Sequence, residues 1–242
     1  MLRRAEFAAS HPYLPASGVV IDLGAGSGLQ TELLQEKGHQ VIALDLLQGT
    51  YAPGPHMVLF DGIRLPLRAS SVDAVFSSHV LEHVEDLPAM FGELQRVLRP
   101  GGFGVHIVPT ATWRMLGMVT RWKPILAAVI RRLALGRPSM NESADTQREG
   151  TESQDPRGLI RSVLVPLPHG AHHSAVGEVF AFSRWGWRRT LREAGWSFQG
   201  PYPIGIAYSG THAGPDPSLL ARRLVARITG SSSAIWLVQP QR

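Results

Sequence analysis

The stretch VVIDLGAGSG, residues Val19 to Gly28, sets an apolar run against three glycines at alternate positions, with an aspartate just before the first. GVVIDL has the length and composition of a buried strand. LQTELLQEK after it places Leu29, Leu33 and Leu34 on one helical face, with Gly38 as the stop. A strand, a glycine turn and a helix bring backbone close to a ligand at the carboxyl end of the strand. The spacing argues against two phosphate sites. A dinucleotide fingerprint has its third glycine three places after the second, a position held here by Leu29, whereas the third glycine is Gly28. A Walker loop needs Gly-Lys-Ser/Thr, which does not follow. Asp22, at the end of the strand, repels a pyrophosphate and attracts a cation.

The same pattern continues outward. HQVIALDL is a second buried strand carrying Asp45, HMVLF a third followed by Asp61, VDAVFSS a fourth and FGVHIV a fifth. A helix precedes the fifth strand. Asp86 is its N-cap, Pro88 sits in its first turn, Leu87, Phe91, Leu94 and Leu98 form its apolar stripe, and RPGG stops it. Apolar strands alternating with helices imply an α/β fold, a parallel sheet with helices on both faces. One crossover is thin: LLQGTYAPGP, after Asp45, has the Gly and Pro content of a loop. Asp45 lies about twenty residues after the first glycine, where an acid holds ribose hydroxyls. Asp61 can accept a hydrogen bond from an adenine amine. S-adenosylmethionine (SAM) carries a sulfonium, an ammonium and a carboxylate but no phosphate, and it suits this set of acids. A nicotinamide cofactor is disfavoured by the glycine spacing.

VVIDLGAGSG…VIALDL…FDG…VDAVFSSHVLEHVEDLPAMFGELQRVLRPGG resembles the class I SAM-dependent methyltransferases, in the broad group whose fourth strand leads into a vLeHv segment. The resemblance covers about Val19 to Val108. It implies a Rossmann-like seven-stranded sheet, mostly parallel with a reversed last hairpin. It places Asp22, Gly24, Ala25, Gly26 and Gly28 around the methionine part of SAM. It places Asp45 and Leu46 at the ribose, Asp61 and Gly62 at the adenine, and Ser78 and His79 facing the transferred methyl.

The rest of the chain sets bounds. Its 242 residues, 44% of them hydrophobic, are enough for one core. The simplest organisation is a single domain over 1–242 with a lid-like insertion after the fifth strand, at about 110–165. There is no cysteine, which excludes disulfides, thiolate metal sites and a cysteine nucleophile. A net charge of +5 favours acidic partners without choosing among them. MLRRAEFAAS is basic with no apolar segment behind it, so it does not read as a signal peptide. No apolar run approaches the roughly 20 residues of a spanning helix. The expected location is cytoplasmic. SRWGWRRTLREAG reads as a late helix capped by Ser183 and stopped by Gly195, and WSFQGPYP and AIWLVQP as late strands. TATWRMLGMVTRWKPILAAVIRRLALGRP and PDPSLLARRLVARITG are basic amphipathic stretches, whereas SMNESADTQREGTESQDPRG reads as a polar surface loop. Both basic stretches suit an interfacial helix on an anionic membrane. Nucleic acid is disfavoured, because no aromatic stacking platform accompanies them.

The histidines carry the remaining candidates. His79 and His83, four apart, would share a helix face, but HVLEH is not HExxH, so a structural or pocket-lining role is favoured for His83. Glu82 is expected as a capping or solvent residue. PHGAHHSAVGE holds His169, His172, His173 and Glu178, and admits a solvated loop, a metal set or an acceptor base. His169 and His79 are taken as the catalytic candidates, with His169 as the base, and no metal site is assigned. The function expected is methyl transfer from SAM to a small-molecule or lipid-linked acceptor, at oxygen. Its rival is a non-catalytic SAM-binding partner or regulatory subunit.

Overall fold

Strands Val19–Leu23 (β1) and Val72–Ser78 (β4) are buried almost throughout, as strands covered on both faces of a parallel sheet must be. They are neighbours at the centre of a seven-stranded sheet of order β3-β2-β1-β4-β5-β7-β6. The other strands are Gln40–Leu46 (β2), Met57–Phe60 (β3), Leu98–Pro109 (β5), Trp196–Pro203 (β6) and Ser233–Pro240 (β7). Strands β1 to β5 pair in parallel, and β7 lies antiparallel between β5 and β6. The last hairpin is therefore reversed, as the resemblance implies. The computed structural model describes residues 1–47, 57–120, 175–209 and 217–241. The thin crossover after Asp45, the polar loop and most of the insertion lie outside the described residues.

Helices cover both faces. They are Leu2–Ser10 (α1), Leu29–Glu36 (α2), Leu87–Val97 (α3), a helix over 111–120 (α4), Ala175–Ala181 (α5), Arg184–Glu193 (α6) and Leu219–Thr229 (α7). The expected caps are present. Asp86 accepts from the Ala89 amide at 2.9 Å, and Ser183 accepts from the Gly186 amide at 3.1 Å. One core layer gathers Phe91, Leu94, Trp187, Trp196 and Trp236; the other gathers Phe7, Leu34, Phe76, Val105 and Ile235. Trp113 of α4 belongs to the first and packs against Phe182, their ring centroids 6.2 Å apart. The opening of the insertion is thus part of the core.

Two features differ from the sequence expectation. Leu98 does not close the α3 stripe but starts β5. It pairs with Val72, and the register then jumps so that Phe103 faces Ala74, with RPGG between. The fifth strand therefore begins five residues before FGVHIV. The N-terminal stretch, read only as basic, is the helix α1. Phe7 anchors it, packing edge-on against Phe76 at 6.2 Å between centroids.

Candidate active site

The strand order reverses between β1 and β4, and in open α/β sheets the crevice at such a point takes the ligand. A cleft of about 1020 Å³ opens there. Gly24, Ala25, Gly26, Asp45, Leu46, Asp61, Gly62, Ser78 and His79 all line it, so residues from four separate sequence segments meet there.

The glycine loop is tied down from below. The amides of Gly24 and Ala25 both donate to the Leu44 carbonyl, at 2.8 and 3.0 Å. Gly24 has a φ of +72°, and a Cβ there would lie 2.3 Å from Val80 Cγ2. Backbone conformation and space therefore both demand glycine. Asp45 closes the loop from the side. Its Oδ2 accepts from the Gly26 amide at 2.6 Å and its Oδ1 from the Leu46 amide at 2.7 Å. Each carboxylate oxygen keeps a further lone pair, which can accept from ribose hydroxyls. Asp61 Oδ1 accepts from the amides of Ile63 and Arg64 at 2.9 and 3.1 Å, and these bonds hold its carboxyl below the usual range. Acceptor-only carboxylates at the ends of β2 and β3, beside a glycine-rich loop, fit the hydroxyls, the adenine amine and the cationic end of SAM.

Asp22 and Gly28 are placed differently from expectation. Neither lines the cleft among its described walls. Side chains alternate along a strand, and Leu23 faces the cleft, so Asp22 turns to the other side. It is 1% exposed and accepts from Thr31 Oγ1 of α2 at 2.6 Å. Burial pushes its carboxyl up to about 6, against the Thr31 bond and with the help of the Asp45 charge. Gly28, at φ +80°, is the N-cap of α2.

At the end of β4 the cleft meets a buried polar cluster. His79 takes a left-handed backbone, φ +58°, with its amide donating to the Ile107 carbonyl at 2.9 Å. Its Nε2 lies 3.0 Å from Glu6 Oε1 and 3.0 Å from the Tyr208 hydroxyl, and its Nδ1 lies 3.3 Å from Glu82 Oε1. Burial alone would favour neutral imidazole, but Glu6 and Glu82 outweigh it and raise His79 to about 9. Burial likewise pushes Glu6 up, and His79 and Arg3 override it, bringing the carboxyl down to about 2. Tyr208 and Ser233 donate to Glu6 Oε1, and Arg3 Nη1 donates to Glu6 Oε2 at 3.2 Å and to Ser78 Oγ at 2.8 Å. Arg3 and His79 line the cleft, whereas Glu6 and Glu82 lie behind them.

This arrangement changes several expectations. A histidine protonated to about pH 9 is not a general base at neutral pH. Glu82 is not a solvent residue; it is 3% exposed and faces His79. His79 and His83 do not share a helix face, because the left-handed turn at His79 separates it from the single turn Leu81–His83; His83 lines the cleft. Glu178 is fully buried in α5, with Oε2 2.8 Å from Arg114 Nε of α4, so it ties two helices together. His169, His172 and His173 lie outside the described residues. Among the described residues no group of three ligands could hold a metal ion. Arg3, Glu6 and Tyr208 were not anticipated from sequence. Glu6 and Tyr208 stand 73 and 129 residues from His79, and Arg3 stands 75 from Ser78, so no local pattern links them to the cleft.

A seven-stranded sheet in this order, with a glycine loop at the switch point and acids ending the next two strands, defines the class I SAM-dependent methyltransferases. Residues 21–105, the segment that carries the glycine loop and both acids, match the family model described as a methyltransferase domain, and the fold around them is that of the class I SAM-dependent methyltransferases. Among curated proteins it is similar to the biotin biosynthesis bifunctional protein BioHC of Cellvibrio japonicus, 32% identical over 196 residues, covering 73% of this chain and 38% of that protein. It is also similar to the demethylmenaquinone methyltransferase of Corynebacterium efficiens, 34% identical over 121 residues, covering 46% of this chain and 53% of that one. The chain thus spans about half or less of the length of these relatives. Among solved structures, a SAM-dependent methyltransferase from Mesorhizobium loti shares the fold with a TM-score of 0.54, over 97% of each chain at 18% identity.

Proposed function

We propose that this chain transfers the methyl group of SAM to an oxygen on a small-molecule or lipid-linked acceptor, and that the oxygen is already ionised when it binds. The observation that carries this reading is the pair of cations, Arg3 and His79, on the cleft wall beside Ser78, with their balancing carboxylates behind. SAM, when bound, supplies a methyl on a positively charged sulfur that is electrophilic without further activation. The protein's part is to place and to shield. The backbone of Gly24 to Gly26 would hold the methionine end, Asp45 the ribose and Asp61 the adenine. Arg3 would give an anion a charge-assisted hydrogen bond from its remaining N–H groups, while the His79 cation, both of its N–H groups engaged by Glu6 and Glu82, would hold the anion through its field. Such an acceptor has no proton to lose, so a protonated His79 serves it better than a base would. The relationship to a demethylmenaquinone methyltransferase supports a small-molecule acceptor.

Calorimetry should show micromolar SAM binding, abolished by Asp45→Ala. Labelled methyl donor should then mark an acceptor in aqueous or lipid fractions of a cell extract. Arg3→Ala should slow that transfer by about 10- to 100-fold, the worth of one hydrogen bond to a charged group, and leave SAM affinity intact. SAM binding with no label transferred to any fraction would favour the non-catalytic SAM-binding partner. Arg3→Ala without effect would remove the anionic acceptor.

A further inference from the structure

Helix α7 turns an apolar stripe outward. Leu220, Leu224 and Ile228, one turn apart, are 69%, 50% and 89% exposed, and Val225 beside them is 44% exposed. Arg223 and Arg227 flank the stripe and are exposed too. The opposite face is built into the protein, with Arg222 buried and its carbonyl accepting from the Ala207 amide at 3.1 Å. Beside α7 runs α1, and a groove of about 500 Å³ between them is lined by Met1, Arg4, Leu219 and Arg223. The only carboxylate on either helix is Glu6, which is buried. This face therefore presents three exposed arginines, Arg4, Arg223 and Arg227, around exposed aliphatic side chains, with no exposed negative charge on the two helices.

We propose that α7, together with the adjoining end of α1, docks on an anionic lipid bilayer. Charge selects this occupant. A second copy of the chain meeting the same face in a two-fold contact would set arginines against arginines. A nucleic acid would find phosphate partners but no aromatic ring on the stripe to stack upon. Anionic headgroups satisfy the arginines while the aliphatic stripe enters the acyl boundary, as in an interfacial helix. The position has a consequence for the cleft. Arg3 lines the cleft and Arg4, its neighbour on α1, lines the groove, so α1 joins the docked face to the cleft wall. A lipid-linked acceptor would enter without leaving the surface. The docking stands on the surface alone, independent of methyl transfer.

The test is sedimentation of the full chain with vesicles of phosphatidylcholine, with or without phosphatidylglycerol. Binding should require phosphatidylglycerol and weaken with salt. Ile228→Asp should abolish it, and Ile228→Trp should strengthen it. Arg223→Ala and Arg227→Ala should each lower partitioning about fivefold, the equivalent of about 1 kcal/mol per charge near the surface. SAM calorimetry on each variant separates this proposal from the proposed function, because these positions lie outside the cleft. Equal binding to both vesicle types, no binding, or binding unaffected by Ile228→Asp would overturn the proposal. So would a dimer in analytical ultracentrifugation that Ile228→Asp makes monomeric, which would assign the stripe to self-association.

Discussion

His79 sits between two carboxylates, Glu6 at 3.0 Å and Glu82 at 3.3 Å, and this sandwich decides its charge. An imidazole with a neutral partner on one side can accept a proton there. One with an anion on each side is held as the cation with both N–H groups engaged. The consequence is a pH profile. If the cation orients the acceptor, turnover should stay level through neutral pH and fall as pH rises through about 9, where the cation is lost. His79→Gln should remove that alkaline limb and lower turnover by about 10- to 100-fold at neutral pH, with SAM affinity little changed. A profile of kcat against pH, measured for both proteins, checks this. A histidine acting as a base would show the opposite limb, activity lost on acidification.

At the scale of elements, α1 is the part that sequence left unread. It spans nine residues, its apolar content is modest, and nothing in it marks a site. Its role comes from its partners. Glu6 meets His79, Tyr208 and Ser233, and Arg3 meets Ser78, so the helix closes the cleft beside the end of β4. Breaking one side of a buried ion pair strands the other charge, at a cost of about 3 kcal/mol or more. Glu6→Gln is therefore expected to lower the unfolding free energy by that order and to open the chain to proteolysis near Ser10. Urea unfolding and a timed protease digest measure the two effects. The glycine loop contrasts with this. Strand, turn and helix follow one another within about twenty residues, and their residue types alone dictate the geometry. The same locality explains the misplacement of the β5 start, because RPGG has the composition of a helix stop, and only pairing with β4 shows that Leu98 is already strand.

Over the whole molecule, buried titratable groups define a window of stability. His106 on β5 is 1% exposed, with Nδ1 2.7 Å from Ser77 Oγ, and burial pushes it down to about 3. Between its ordinary value of 6.5 and about 3 the unfolded chain binds a proton that the native state does not, so stability falls on acidification. Glu6, lowered from 4.5 to about 2, adds to the loss on the acid side. Asp22, raised from 3.8 to about 6, works the other way over that interval, by a smaller shift than His106. His79, raised from 6.5 to about 9, contributes stability in full below 6.5 and loses it as pH rises through about 9. Melting temperature should therefore peak near neutral pH and decline on both sides, with His106→Gln flattening the acid limb. A calorimetric series across pH tests the shape.

Much of the site was legible in the residues, because the signals were local. Apolar runs of strand length, glycines at alternate positions and acids at the ends of β2 and β3 specify a loop with two carboxylates beside it wherever the strands pair in order. Gly24, Gly26, Asp45 and Asp61 needed no knowledge of distant neighbours. The side of the strand on which Asp22 lies, the protonation of His79, and the meeting of Arg3, Glu6 and Tyr208 at the cleft were decided only by tertiary structure. A charge state depends on which other charges are brought near and how far water is excluded, and those are properties of chain segments as far apart as residue 6 and residue 208.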